Sequence, residues 1–185
     1  MIIDVWADLA HLDSYLAKVA LESALAEWEH RDDVQVTWHA FQVERPSTYD
    51  AHRLLHLATQ VDRGDVLREL MMKAFVTEEE SPMDRDVLAR LAAEAGLDSD
   101  VVGGLLESDD HGYDVRVDEA TAAQIGITSV PYLVIDRKYG VGGVQPSETL
   151  VGAFDYAHAH AGEAPQERVG GGCGGGSCGA CGCGA

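Results

Sequence analysis

The first forty residues limit the fold more than any other part of the chain. Ile-Ile-Asp-Val-Trp-Ala at positions 2–7 is rich in β-branched and aromatic side chains and reads as a strand. The stretch from Asp8 to Asp13 breaks that pattern, after which Leu16, Val19, Ala20, Leu25 and Trp28 recur at helical spacing. Beyond Arg31-Asp32-Asp33 the residues alternate: Val34, Val36, Trp38 and Ala40 share one face, and Gln35, Thr37, His39 and Phe41 the other. Two strands joined by a helix of this length close most naturally as a right-handed βαβ unit with parallel strands.

From Ser47 to Gly126 the apolar residues keep a helical period, as in Leu54/Leu55/Ala58, Leu67/Leu70/Met71/Ala74, Val87/Leu88/Leu91/Ala92 and Val101/Leu105. Gly96 and Gly126 suit helix C-terminal positions, where a left-handed residue is needed. Pro131 to Ile135 reads as a strand, Asp136-Arg137-Lys138 as a turn, Tyr139 to Val144 as a return strand, and Gln145-Pro146-Ser147 opens a last helix to about His160. The expectation is an α/β fold with a mixed sheet, βαβ then ββα, formed by residues 1–46 and 127–161, with 47–126 as a helical insertion. A chain of 185 residues with 46% hydrophobic side chains can fill one such core.

The formal charge of −19, from 32 acidic and 13 basic side chains, repels phosphate backbones and anionic membranes, so neither nucleic acid nor membrane is an expected partner. The opening Met1-Ile2-Ile3-Asp4-Val5-Trp6 lacks the basic and apolar regions of a targeting peptide, and no apolar run approaches a membrane span; the expected compartment is the cytoplasm. All four cysteines, Cys173, Cys178, Cys181 and Cys183, fall in the last thirteen residues, so no disulfide staples the body. The tail from Gly162 is mostly glycine and is expected to be disordered, because it offers too little apolar surface to offset its ordering entropy.

Several local sequences are more specific than the pattern. Asp4-Val5-Trp6-Ala7-Asp8, Asp50-Ala51-His52-Arg53-Leu54-Leu55-His56-Leu57-Ala58, Asp86-Val87-Leu88-Ala89-Arg90-Leu91-Ala92, Gly126-Ile127-Thr128-Ser129-Val130-Pro131 and Gly143-Val144-Gln145-Pro146 resemble FrnE-type proteins of the DsbA family, over roughly residues 2–160. The resemblance implies a thioredoxin fold with a helical insertion and a thiol–disulfide oxidoreductase or isomerase lineage. Members carry Cys-Pro-Trp-Cys-Tyr at the amino end of the first helix, where a cysteine's pKa is lowered by unpaired amides and the helix dipole. Here the matching residues are His11-Leu12-Asp13-Ser14-Tyr15, so both redox sulfurs are missing at the usual site. Val130-Pro131 matches the family's cis-proline, which faces that helix end and presents the backbone of the preceding residue to a bound peptide or thiol.

His11 and Ser14 are therefore the candidate catalytic residues, with Asp13, Tyr15, Val130, Pro131 and His52 as candidate ligand contacts. An imidazole at a helix amino end is suited to act as a neutral base, hydrogen-bond donor or metal ligand; alternatively His11 is a loop histidine left where a redox site decayed. Asp13 and Ser14 could orient His11 or a ligand hydroxyl, although for Asp13 a helix cap is the better reading. His39, His52 and His56 are expected either in the cleft or, for the last two, on a solvated helical stripe. In related isomerases and kappa-type transferases a serine aligned with His11 activates glutathione, and Asp13-Ser14-Tyr15-Leu16-Ala17 partly resembles the end of that segment. A glutathione-linked isomerase or transferase is thus the alternative to a protein that binds a peptide or small thiol without dithiol catalysis.

The spacing Cys173-x4-Cys178-x2-Cys181-x-Cys183 suggests Zn²⁺ or Cu⁺ thiolate binding, a mobile dithiol, or an inert compositional tail. A flexible segment from Gly162 to Cys178 reaches about 20 Å, enough to bring a thiol to His11. Substrate and oligomeric state leave no mark in the sequence.

Overall fold

A computed structural model describes residues 1–43 and 47–162. Strand β1 (Ile2–Ala7) leads into helix α1 (Leu12–Glu27), a single 3₁₀ turn (Arg31–Asp33) and strand β2 (Gln35–Ala40). Helices α2 (Tyr49–Gln60), α3 (Gly64–Thr77), α4 (Arg85–Glu94), α5 (Ser99–Glu107) and α6 (Gly112–Ile125) follow; strands β3 (Tyr132–Ile135) and β4 (Tyr139–Gly142) and helix α7 (Ser147–Ala159) complete the order. The sheet runs β2-β1-β3-β4, with β1 and β2 parallel and the other two pairs antiparallel. This is the α/β thioredoxin-like architecture that the strand and helix order implied. Among the described residues no helix is long and apolar enough to cross a membrane.

Two apolar cores hold the chain together. One face of the sheet, through Ile3, Val5, Leu133 and Ile135, packs on Leu21, Ala24 and Trp28 of α1 and its C-terminal end, and on Leu150 and Phe154 of α7. The other core lies among the helices of 49–107, built on Leu54, Leu67, Met71, Leu88, Leu91 and Leu105, and reaches the sheet through Ala7 and Leu9. Gly96 and Gly126 adopt φ of 88° and 81°, the left-handed conformation expected at these helix ends.

Helix α1 corrects the reading of its faces. Leu16 and Val19, two of the apolar residues that recur at helical spacing, are exposed, and the buried face is Ser14, Ala17, Lys18, Leu21 and Ala24. Small side chains let α1 approach α7 and α3 closely. Lys18 is nearly inaccessible because Glu22 and Glu69 of α3 take its ammonium group. Periodicity cannot anticipate a buried lysine whose partner lies fifty-one residues away. Asp13 likewise does not cap the helix: the N-cap position is His11, without a side-chain cap bond, and Asp13 lies exposed in the first turn.

Arg53 is the chief polar tie among the helices. Its side chain is 3% exposed; Nε donates to the Asp110 carbonyl at 2.8 Å, one terminal nitrogen to Asp50 at 2.7 Å, and the other to the Leu105 and Ser108 carbonyls at 2.6 and 2.7 Å. It thereby satisfies the carboxyl end of α5 from the middle of α2. Arg53→Leu is expected to cost about 3 kcal/mol, the penalty for stripping a buried charge partner, read as a lower urea midpoint; a midpoint within error of the parent would contradict this account.

Candidate functional site

Strand polarity brings three loops together. β1 and β2 run parallel, with Trp6 beside His39 and Phe41 N–H donating to the Ala7 carbonyl, so the segments that leave their carboxyl ends emerge side by side. β3 is antiparallel to β1 with Tyr132 opposite Trp6, which delivers the segment entering β3 to the same end. His11, Phe41, Gln42, Val43, Thr128, Ser129 and Val130 accordingly line one groove of about 320 Å³. The Val130–Pro131 bond is cis. Among the described residues, neither the amide nor the carbonyl of Val130 enters a backbone hydrogen bond, which leaves both for a ligand.

His11 closes the amino end of α1. Its carbonyl accepts from Ser14 and Tyr15 N–H at 3.0 and 3.2 Å, and its own N–H reaches the Asp8 carbonyl at 3.3 Å. Its Nδ1 is buried without a hydrogen-bond partner. The other members of the His-Leu-Asp-Ser-Tyr segment are placed differently. Ser14 is fully buried and its hydroxyl accepts from Asp8 N–H at 3.2 Å, so it fixes the loop and does not line the groove. Tyr15 turns to α3, where its hydroxyl donates to Glu69 at 3.4 Å.

Beneath the groove lies Asp8, which sequence patterning treated only as a strand breaker. One carboxylate oxygen accepts from Ala10 N–H at 3.1 Å and the Thr48 hydroxyl at 3.2 Å, and the other from Val43 N–H at 2.8 Å. A single buried side chain thus ties the loop bearing His11 to the loop after β2 and the start of α2. An acidic residue directly after an apolar strand was the available signal, but its partners are scattered over thirty-five residues and more.

The three histidines expected in the cleft or on a solvated stripe occupy other places. His39 is held between Asp118, which accepts from Nδ1 at 2.8 Å, and Asp4, which contacts Nε2 at 2.9 Å; its ring stacks on Trp6 at 4.4 Å. Burial alone would lower its pKa, but these two carboxylates outweigh burial and raise it. Asp118 also meets His56 at 3.1 Å and Ala40 N–H at 2.8 Å. Burial would raise the Asp118 pKa, yet those donors hold it well below the usual carboxylate range. His52 is 4% exposed, does not line the groove, and borders a separate small cavity with His39, His56 and Arg68. It thus stands apart from the residues expected to contact a ligand with it, and burial depresses its pKa to about 4. Among the described residues no three His, Cys, Asp or Glu side chains converge to hold a metal ion. Cys173, Cys178, Cys181 and Cys183 lie outside the described residues.

The sequence of residues 2–155 matches the model of the DSBA-like thioredoxin domain, and the chain belongs to that family. A probable DsbA oxidoreductase from Streptomyces coelicolor is similar at 29% identity and a TM-score of 0.82, covering 91% of this chain and 94% of that one. The fold is also that of a putative protein disulfide isomerase from Nitrosomonas europaea, at 14% identity and a TM-score of 0.75 over 87% of this chain and 98% of that one. A third is a variant DsbA from Proteus mirabilis with a non-covalently bound peptide, at 15% identity and a TM-score of 0.64, over 84% and 85% of the two chains. No functionally curated protein matches the sequence significantly.

The imidazoles give the fold a pH dependence of defined sign. His52 has a folded pKa below its ordinary 6.5, so above that pH it is neutral in both states; as pH falls toward about 4 the unfolded chain binds the proton first and stability is lost. His39 acts oppositely: its contribution is complete below 6.5 and disappears as pH rises through its raised folded value. Unfolding by urea at pH 7 and pH 4.5 is expected to show a loss in the parent of roughly 2 kcal/mol from His52. His52→Gln should lose that much less between the two pH values, whatever its stability at pH 7; parallel losses would refute the assignment.

Proposed function

We propose that the chain is a FrnE-type, DsbA-like protein that binds an extended peptide or a small thiol in the cis-proline groove, with a first-helix site no longer built for dithiol exchange. The observation that carries this reading is the convergence of His11 with Thr128, Ser129 and the unpaired Val130 backbone on one groove beside a cis peptide bond. An extended ligand can pair with the Val130 amide and carbonyl as an added strand, gaining main-chain hydrogen bonds without sulfur chemistry. The peptide-bound Proteus mirabilis relative makes a peptide a reasonable occupant.

Disulfide chemistry by this chain alone would have to use Cys173, Cys178, Cys181 or Cys183, since residues 1–172 contain no thiol. These cysteines stand in a glycine-rich sequence far along the chain from the amino end of α1, where unpaired amides and the helix dipole would lower a thiol's pKa, so ordinary thiolate fractions are expected. Insulin reduction by the full chain should therefore be no faster than by a simple dithiol of equal thiol concentration. Turnover far above that level, retained when the four cysteines are changed to serine with an added thiol reductant, would place redox catalysis elsewhere and defeat this reading.

One observation favours a glutathione-linked alternative. His11 Nδ1 is buried and unpartnered, as suits a ring that accepts a hydrogen bond from a ligand thiol. Titrating reduced glutathione into the protein with its four cysteines changed to serine is expected to give saturable shifts at His11, Phe41 and Val130. His11→Ala should weaken that binding by about tenfold, the loss of one well-placed hydrogen bond. If neither glutathione nor a cysteine-containing peptide perturbs those residues at about 10 mM, an affinity worth under 3 kcal/mol, the groove is not a thiol or peptide site.

A further inference from the structure

A second groove, of about 470 Å³, lies on the sheet face that α7 does not cover. Its volume falls within the range of small-molecule sites. The floor is aromatic and flat: Trp6, with His39 stacked on it, continues into Tyr132. The Tyr132 ring lies against β4, where Gly140 admits it; a Cβ at position 140 would stand 2.3 Å from the tyrosine oxygen. Ile125 of α6, exposed despite being apolar, forms a wall.

Charge is divided between the ends, with Asp4 at one and the hairpin residues Arg137 and Lys138 at the other. Inside, Asp4 lines the groove with one oxygen taken by His39 Nε2 at 2.9 Å. Both nitrogens of His39 are engaged, and the second oxygen of Asp4 remains able to accept from a ligand as a charged acceptor. At the rim stands Arg137, on the hairpin between β3 and β4. Asp136 and Arg137 both have positive φ, 49° and 57°, in a tight turn where Asn and Gly are the favoured residues. Asp136 has a structural reason to be there, since its carboxylate accepts from Ile2 N–H at 2.7 Å. Arg137 has none: among the described residues it enters no ion pair or hydrogen bond, on a chain whose net charge is −19. A left-handed arginine costs of order 1 kcal/mol, and such residues collect at ligand sites.

We propose that this groove binds a small aromatic carboxylate bearing a hydrogen-bond donor at its far end, with the carboxylate on Arg137, the ring over Trp6 and Tyr132, and the donor on Asp4. Ile2 pairs with the residue before Arg137 through its hydrogen bond to Asp136, and Asp4 lies two residues further along β1. With Arg137 one residue beyond Asp136, the two charged groups stand up to about 10 Å apart along the strand, the span of one substituted aromatic ring with a hydrogen bond at each end. A guanidinium and a carboxylate form a strong, charge-assisted contact, and aromatic faces supply apolar area with defined geometry. None of the residues that line the cis-proline groove lines this one; Trp6 and Val130 share the buried cluster that separates them. The inference is therefore independent of the function proposed above.

The test is an NMR titration of the full chain with 4-hydroxybenzoate and with benzoate, using neutral 4-hydroxybenzyl alcohol as control. Saturable shifts are expected at the Trp6 indole, Tyr132, Val134 and Arg137, strongest for 4-hydroxybenzoate. Arg137→Gly suits the left-handed turn, so it should fold at least as well as the parent; it should raise the 4-hydroxybenzoate Kd by about fivefold or more, the loss of one charge-assisted contact, and leave the alcohol unaffected. Shifts confined to His11 and Thr128 to Val130, no saturation by either carboxylate at about 10 mM, or an unchanged Kd in Arg137→Gly would each overturn the proposal.

Discussion

The Asp8 carboxylate is the interaction on which the rest of the site depends. It lies where β1 ends, is nearly inaccessible, and accepts from Ala10, Val43 and Thr48. Those partners belong to the loop that presents His11, the loop that follows β2 and the turn that starts α2. A buried carboxylate is tolerated only when its oxygens are well supplied with donors, and here the donors are backbone and hydroxyl groups of the segments that need holding. Ser14 completes the arrangement by accepting the Asp8 N–H, which fixes the loop at the amino end of α1.

A second polar system, centred on Asp118, secures the opposite flank. Its carboxylate draws His39, His56 and the Ala40 amide together, and its carbonyl accepts from the Trp6 indole at 3.2 Å. β1, β2, α2 and α6 are thereby locked around one acid. Because His39 also meets Asp4, the network passes from the interior to the floor of the sheet-face groove. Buried networks of this kind fix geometry when every member is satisfied. Stability responds to pH from both sides, through the buried His52 in acid and His39 in base.

The chain has the DsbA-like domain, and its residues 1–172 contain no thiol. The amino end of α1 and the unpaired Val130 backbone beside a cis peptide bond border one groove, while the four cysteines all stand at positions 173–183. At that groove His11 and the Val130 backbone are the hydrogen-bonding groups that the described residues offer.

Local residue order determined the elements: β-branched runs gave β1 and β2, helical periodicity gave the helices of 49–125, and glycines at 96 and 126 marked left-handed ends, because these signals act over a few bonds. It also singled out His11 and Val130-Pro131, through resemblance, as partners across one groove. Tertiary packing decided what periodicity could not. Leu16 and Val19 face solvent while Lys18 is interior, since Glu69 supplies its countercharge from another helix. His52 is buried, His39 is clamped by two acids, and Asp8 and Asp118 organise the site. Each of these outcomes depends on donors and acceptors brought together from distant parts of the chain, and the energy of a buried charge is set by those neighbours, which no local pattern encodes.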